Sequence, residues 1–218
     1  MNAFQKFLSY LFPVLIERVE GELDHELSVY LHKGGLKLYS DETNYSFGQL
    51  HQVFQNALLK HDFSLNKDSK ILILGFGVGS IVQIIRKELQ LENPIIGVEK
   101  DKKVLELYER YFSKKYGSLQ LVNQDARDFV AGHDKKFDLI LIDLFINRKV
   151  PEFCLETSFL IDLSKLLNST GTIVFNTIRK GETENNFEKS IQSIFHIENI
   201  MRIFGQNSVY YLKNKMKN

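Results

Sequence analysis

The run ILILGFGVGS, Ile71 to Ser80, constrains this chain more than any other stretch. Four apolar residues suited to a buried strand enter three glycines spaced by one, and helical periodicity begins at once in SIVQIIRKEL. A strand that turns through glycines directly into a helix opens a βαβ unit, whose crossover forces the next strand to lie parallel. The pattern then repeats. NPIIGVEKD reads as a strand, KKVLELYERYF as a helix, LQLV as a short strand and FDLILIDLF as a strand. TSFLIDLSKLL reads as a helix ended by NSTG, TIVFNTI as a strand, and EKSIQSIF as part of a polar helix. HIENIMRIF and SVYYLKN are then separated only by Gly205-Gln206-Asn207, too short for a parallel crossover, so they pair as an antiparallel hairpin. The expected fold is α/β: a Rossmann-like, doubly wound, mostly parallel seven-stranded sheet with a C-terminal antiparallel hairpin.

The segment before this rhythm reads differently. Phe4, Phe7, Leu8, Leu11, Leu15 and Val19 recur at helical spacing, which predicts an amphipathic helix packed on the domain or on a partner subunit. Leu27, Val29 and Leu31 alternate with polar neighbours, Lys33-Gly34-Gly35 signals a turn, and Leu36 and Leu38 resume the alternation as a hairpin. FGQLHQVFQNALLK returns to helical spacing. Residues 1–50 are therefore expected to form an N-terminal helix and β-hairpin region, and residues 51–218 the Rossmann-like domain.

With 28 Lys and Arg against 27 Asp and Glu in 218 residues, the net charge of +1 is too small to hold a polyanion, so nucleic acid is not an expected partner. No apolar run approaches the roughly 20 residues of a membrane helix. Cys154 is the only cysteine and the six histidines lack ligand spacing, so neither a disulfide nor a metal site is expected. The default location is cytoplasmic.

Gly75, Gly77 and Gly79 suit a strand-to-helix turn that approaches a ligand closely. Glu99 ends the second strand of the βαβ unit, where an acidic side chain accepts hydrogen bonds from ribose hydroxyls, and Lys100 beside it joins the binding set. Ser80 stands where a dinucleotide fingerprint places glycine or alanine, so S-adenosylmethionine, which has no pyrophosphate to cradle, suits the turn better than NAD.

Asn123-Gln124-Asp125-Ala126 looks like the motif with which class I methyltransferase-fold proteins hold adenine, and FDLILIDLF looks like their fourth strand, with Asp143 facing the reacting centre. From about Glu22 to Ile178 the chain more closely resembles spermidine synthase-like proteins, a branch of that fold, through DETNYSFGQLH, the glycine loop, VEKD, QDA, LIDLF, TSFLIDLSKLL and GTIVFN. The resemblance implies that Gly75, Gly77, Glu99, Asp125 and Ala126 bind the nucleoside and that Asp143 belongs to the active site, with Tyr45 and His51 as gating or supporting groups. It implies a transferase using S-adenosylmethionine or its decarboxylated form on a small-molecule acceptor, and the N-terminal region suggests a homodimer.

Spermidine synthases move an aminopropyl group from decarboxylated S-adenosylmethionine to putrescine, and the family pattern supplies carboxylates for the ammonium groups. Here the glycine-loop aspartate is matched by Val78. The D-S-S-D motif is matched by Asp143-Leu144-Phe145-Ile146, and Y-Q-E by Tyr45-Ser46-Phe47. Only Asp143 keeps its charge. Asn147-Arg148-Lys149 adds positive charge nearby. These departures favour an S-adenosylmethionine-dependent methyltransferase-like function with an unassigned acceptor. Spermidine synthesis, with Asp41 or Glu42 replacing the lost acids, is the alternative, and a non-catalytic nucleotide-binding protein is a third.

Overall fold

The computed structural model describes residues 3–23, 26–40, 49–113, 118–145, 149–178 and 182–215. Tyr45, Asp41, Glu42, Phe47, Ile146, Asn147 and Arg148 lie outside the described residues. The first element, α1 (Ala3–Leu8), is only six residues long, and β1 (Val14–Glu20) follows where the sequence pattern predicted helix. Pro13 explains the difference. It lacks an N–H and biases the preceding residue away from helix, while Val14, Ile16 and Val19 are β-branched and find a partner strand. The N-terminal sheet thus has three antiparallel strands, β1, β2 (Glu26–His32) and β3 (Gly35–Ser40), in that order, one more than the expected hairpin. Lys33 and Gly34, at φ 51° and 75°, form the two-residue turn between β2 and β3, as tight hairpins require. The Ser9 carbonyl and hydroxyl accept their N–H groups at 2.7 and 3.0 Å, tying the end of α1 to this turn. Phe4, Phe7, Tyr10, Leu11, Phe12 and Leu15 remain exposed, so the expected apolar face is not packed on the domain.

Helix α2 (Gln49–Leu59) leads into the large sheet. Its strands are β4 (Ile71–Leu74), β5 (Ile95–Glu99), β6 (Leu119–Asn123), β7 (Phe137–Ile142), β8 (Leu167–Ile178), β9 (Phe195–Ile203) and β10 (Asn207–Asn214). Their spatial order is β6-β5-β4-β7-β8-β10-β9. Pairs among β6, β5, β4, β7 and β8 are parallel, whereas β10 runs antiparallel to β8 and β9. The expected sheet and closing hairpin are both present.

Alternation places successive strand residues on opposite faces. Ile71 and Ile73 join Leu139, Leu141 and Val174 in one apolar layer, while Leu72 and Leu74 join Ile140, Ile142 and Phe175 in the other. Both faces are covered by helices, as an inner parallel sheet requires. They are α3 (Ser80–Lys87), α4 (Lys102–Leu107), α5 (Ala126–Gly132), α6 (Thr157–Leu166) and α7 (Glu182–Ile194). A π-helical turn, Tyr108–Phe112, extends α4. The sequence pattern did not anticipate α5. It is only seven residues long and starts at the adenine-like motif itself. Strand β8 begins directly at Leu167, so Asn168-Ser169-Thr170 belong to the strand and not to a loop.

Candidate functional site

The strand order reverses between β4 and β7, and in such sheets a crevice opens at the carboxyl ends of the strands on either side of that point. The glycine turn leaves β4 there. Gly75, Gly77 and Gly79 adopt φ of 84°, 56° and 78°, in the left-handed region that L side chains rarely enter. Gly75 has a second constraint: a Cβ on it would lie 2.4 Å from the Asp143 carbonyl oxygen. The Asp143 N–H donates to the Leu74 carbonyl at 2.9 Å, so the turn and the end of β7 are held in backbone contact. At Gly79 a Cβ would meet the Tyr108 ring at 2.9 Å. Two of the three glycines therefore answer to packing as well as to any ligand. Val78 is 3% exposed and lies in the apolar layer with Phe76, Ile81, Val82 and Tyr108.

Glu99, at the end of β5, braces the turn. Its Oε2 accepts from the Gly77 N–H at 2.8 Å and its Oε1 from the Asp101 N–H at 3.1 Å. Burial raises its pKa above the ordinary carboxylate value, opposed by the backbone N–H groups of Asp101, Gly77 and Lys100. Each carboxylate oxygen retains acceptor capacity beyond one such bond. Asn123, at the end of β6, donates to the Glu99 and Lys100 carbonyls at 3.1 and 2.8 Å, locking the ends of the two strands together.

Asp125 caps α5. Its Oδ1 accepts from the Arg127 N–H at 2.8 Å, as a helix N-cap does, and its Oδ2 takes the Lys100 ammonium at 2.8 Å. Burial pushes its pKa up, but the Lys100 hydrogen bond, the Arg127 N–H and the charges of both residues outweigh this and leave it lowered. Ala126, 5% exposed, packs beneath. The structure thus gathers Gly75, Gly77, Gly79, Glu99, Lys100, Asp125 and Ala126 at the ends of β4, β5 and β6.

Asp143 stands on the other side of the crevice, one residue past β7. Its Oδ1 accepts from Asn176 Nδ2 on β8 at 2.9 Å, and Asn176 Oδ1 accepts from Asn207 Nδ2 on β10 at 3.0 Å. Burial lifts the Asp143 pKa from 3.8 to about 6, against the lowering effect of the Asn176 bond. Among the described residues no other group hydrogen-bonds this carboxylate. His51, on α2, meets α3: its Nδ1 lies 2.9 Å from Ser80 Oγ, and its Nε2 lies 3.9 Å from Glu88 Oε1. Burial lowers its pKa and the Glu88 charge opposes this. These contacts tie His51 to the first residue of α3, directly after the glycine turn. Tyr45 lies outside the described residues.

The sequence assigns no role to Asn176 or Asn207, and Asn123 enters only as the first residue of the adenine-like motif. A polar Asn176 directly after the apolar run Ile173-Val174-Phe175 was the available signal. Among the described residues no cluster of three or more His, Cys, Asp or Glu could hold a metal ion, and no helix is long and apolar enough to cross a membrane.

The family model for the spermine/spermidine synthase domain matches residues 54–213, from within α2 to β10. The chain belongs to the spermine/spermidine synthase domain family. Two members show how far the likeness reaches. Over 133 residues the chain is 32% identical to a polyamine aminopropyltransferase of Vibrio vulnificus, covering 59% of this chain and 44% of that protein. Over 137 residues it is 25% identical to a probable polyamine aminopropyl transferase of Bifidobacterium longum, covering 63% and 29%. The chain therefore spans less than half the length of these two relatives.

Solved structures share the fold. A probable spermidine synthase from Corynebacterium glutamicum superposes with a TM-score of 0.75 at 14% identity, over 95% of this chain and 82% of that one. Human methyltransferase-like protein 13, in complex with SAH, superposes at 0.64 and 19% identity, over 78% and 83%. The methyltransferase likeness is one of fold, while the family match falls on the spermidine synthase branch. The sequence reading had put these two functions in the opposite order.

Proposed function

We propose that this protein transfers an aminopropyl group from decarboxylated S-adenosylmethionine to a small amine. The observation that carries this is Asp143: a carboxylate at the switch point, held through one oxygen by Asn176, with no partner on the other among the described residues. The nucleoside brings an activated carbon next to a sulfonium. The amine nitrogen forms a bond to that carbon, the carbon–sulfur bond breaks, and the electron pair leaves with the sulfur as a neutral thioether. Asp143 pairs with the acceptor ammonium and takes the proton that the nitrogen must lose. A pKa near 6 makes it a stronger base than an ordinary aspartate while leaving it ionised at neutral pH. Glu99 retains lone pairs for the ribose hydroxyls, and Asp125 for the adenine amine. The rest of the catalysis is alignment in a water-poor crevice.

Val78 favours a second reading. It stands where the family pattern supplies an acid for the aminopropyl ammonium, and it is buried among apolar side chains, which suits intact S-adenosylmethionine and methyl transfer instead. One experiment separates them. The protein is incubated with putrescine and either nucleoside, and products are resolved by mass spectrometry. Spermidine with methylthioadenosine supports aminopropyl transfer. S-adenosylhomocysteine formed only from the intact nucleoside moves the assignment to methyl transfer. Tight binding of either nucleoside without product leaves a non-catalytic binder. The exposed aromatic face around α1 supports a second copy of the chain as partner, which sedimentation would reveal.

A further inference from the structure

Strand parity puts three polar residues on one side of the large sheet. Leu139 and Leu141 of β7 point into the same apolar layer as Val174 of β8 and Val209 and Tyr211 of β10, so Asp143, Asn176 and Asn207 continue that face toward its carboxyl edge. Register brings them together. Ile142 pairs with Phe175, so the next step along both strands sets Asp143 beside Asn176. Asn176 pairs with Val209, which makes Asn207 its diagonal neighbour, two residues along the antiparallel partner. Asn176 is fully buried and Asn207 is 8% exposed. Two buried amides thus end on one carboxylate.

A primary amide has a donor end and an acceptor end, and a half-turn about its last bond exchanges them. Asn176 could therefore offer Asp143 an N–H or a carbonyl oxygen, with opposite effects on its charge. The other partner of Asn176 decides. Asn207 Nδ2 donates to Asn176 Oδ1 at 3.0 Å and so holds the acceptor end away from Asp143. Resting on the reading of Asp143 as the acceptor-facing carboxyl, we infer that Asn207 is a positioning residue which fixes the Asn176 amide so that its N–H always faces Asp143. The closing hairpin, through the first residue of β10, thereby reaches into the reaction centre.

Among the described residues, the neighbouring strands set no other charge against this pair. β4 and β8 carry no ionisable side chain. On β7, Asp138 sits at the far end, bonded to the Lys70 N–H and Asn168. On β10, Tyr210 donates to Glu188, Tyr211 to the Ala57 carbonyl, and Lys213 to Glu198. On β9, Arg202 contacts Ser208 and Glu188. Burial and the Asn176 bond are the two causes acting on Asp143.

The test is a carboxyl-carbon NMR titration of Asp143 in the ligand-free protein. In Asn207→Ala the Asn176 amide is released, and the Asp143 midpoint should rise by about one pH unit. Asn176→Ala should raise it at least as far, and Asp125, across the crevice, should not move. Asn207→Leu, which fills the volume without a donor, should reproduce the rise if the alanine variant does not fold. An unchanged or lowered Asp143 midpoint overturns the inference, as does a parallel shift of Asp125, which would mean general loosening. The measurement needs no turnover, so it fails separately from the proposed function. Where transfer is observed, the acid limb of its pH profile should move with the midpoint.

Discussion

The two sides of the crevice are built on different principles. On the β5–β6 side the carboxylates are held by backbone N–H groups: Glu99 takes those of Asp101, two residues on, and of Gly77 in the glycine turn, and Asp125 caps its own helix. On the β7–β8–β10 side a single carboxylate depends on one amide 33 residues away and, through it, on a hairpin residue 31 residues further on. The first side is fixed mainly by backbone donors at strand and helix ends, and the second by side-chain amides that sheet register brings together. A side chain on the first side can be judged from its neighbours in the chain, whereas one on the second has no meaning until the sheet is closed.

The largest effect is expected where the two sides touch. Gly75→Ala would place a methyl 2.4 Å from the Asp143 carbonyl oxygen at a φ of 84°, so backbone strain and overpacking combine. The cost should be about 3 kcal/mol or more, read as a fall in denaturant midpoint at unchanged slope. A loss below 1 kcal/mol would mean that the turn and the end of β7 move independently.

The next perturbation isolates the second side. The Asp143 pKa is raised from 3.8 to about 6, so its favourable contribution to stability is complete below about pH 4 and is lost as pH rises through about 6. Asp143→Asn removes that penalty while keeping an acceptor for Asn176. The variant should therefore be more stable than the parent by about 2 to 3 kcal/mol at pH 8, with the gap closing below pH 4, and it should lose transfer activity. Equal stability at pH 8 would show that Asp143 is not desolvated.

The smallest effect belongs to the first side. Lys100 is 49% exposed, and an exposed ion pair is worth little, so Lys100→Met should change stability by less than about 1 kcal/mol. It leaves the Asp125 cap of α5 intact. A larger loss would show that this side too relies on its charges and not on backbone bonds alone.

This asymmetry explains what could be read before folding. The glycine turn, Glu99 and the Asp125 motif were legible because each is a residue type at a fixed offset from a strand end. The seven-stranded sheet was legible from the alternation of β and α periods. Asn207 was not, since no local pattern says that the first residue of a closing hairpin lies diagonally opposite Asn176. The course of β1 was hidden for a different reason: Phe4, Phe7, Leu11, Leu15 and Val19 fit a helical period, and only Pro13 with the edge of β2 overrules it. Helix α5 was missed because seven residues give a period too few repeats.

The packing under the glycine turn bears on how a ligand binds. Phe76 lies against Gly97 of β5, where a Cβ would meet its ring at 2.4 Å, and stacks edge-on with Tyr108 at 4.9 Å. The turn is wedged from below before anything enters from above. If a nucleoside binds there, as proposed, it has little of this turn to order, so the conformational entropy lost at the turn should be small. On the proposed function, the aromatic wedge would make this side of the crevice a preformed receptor for the nucleoside.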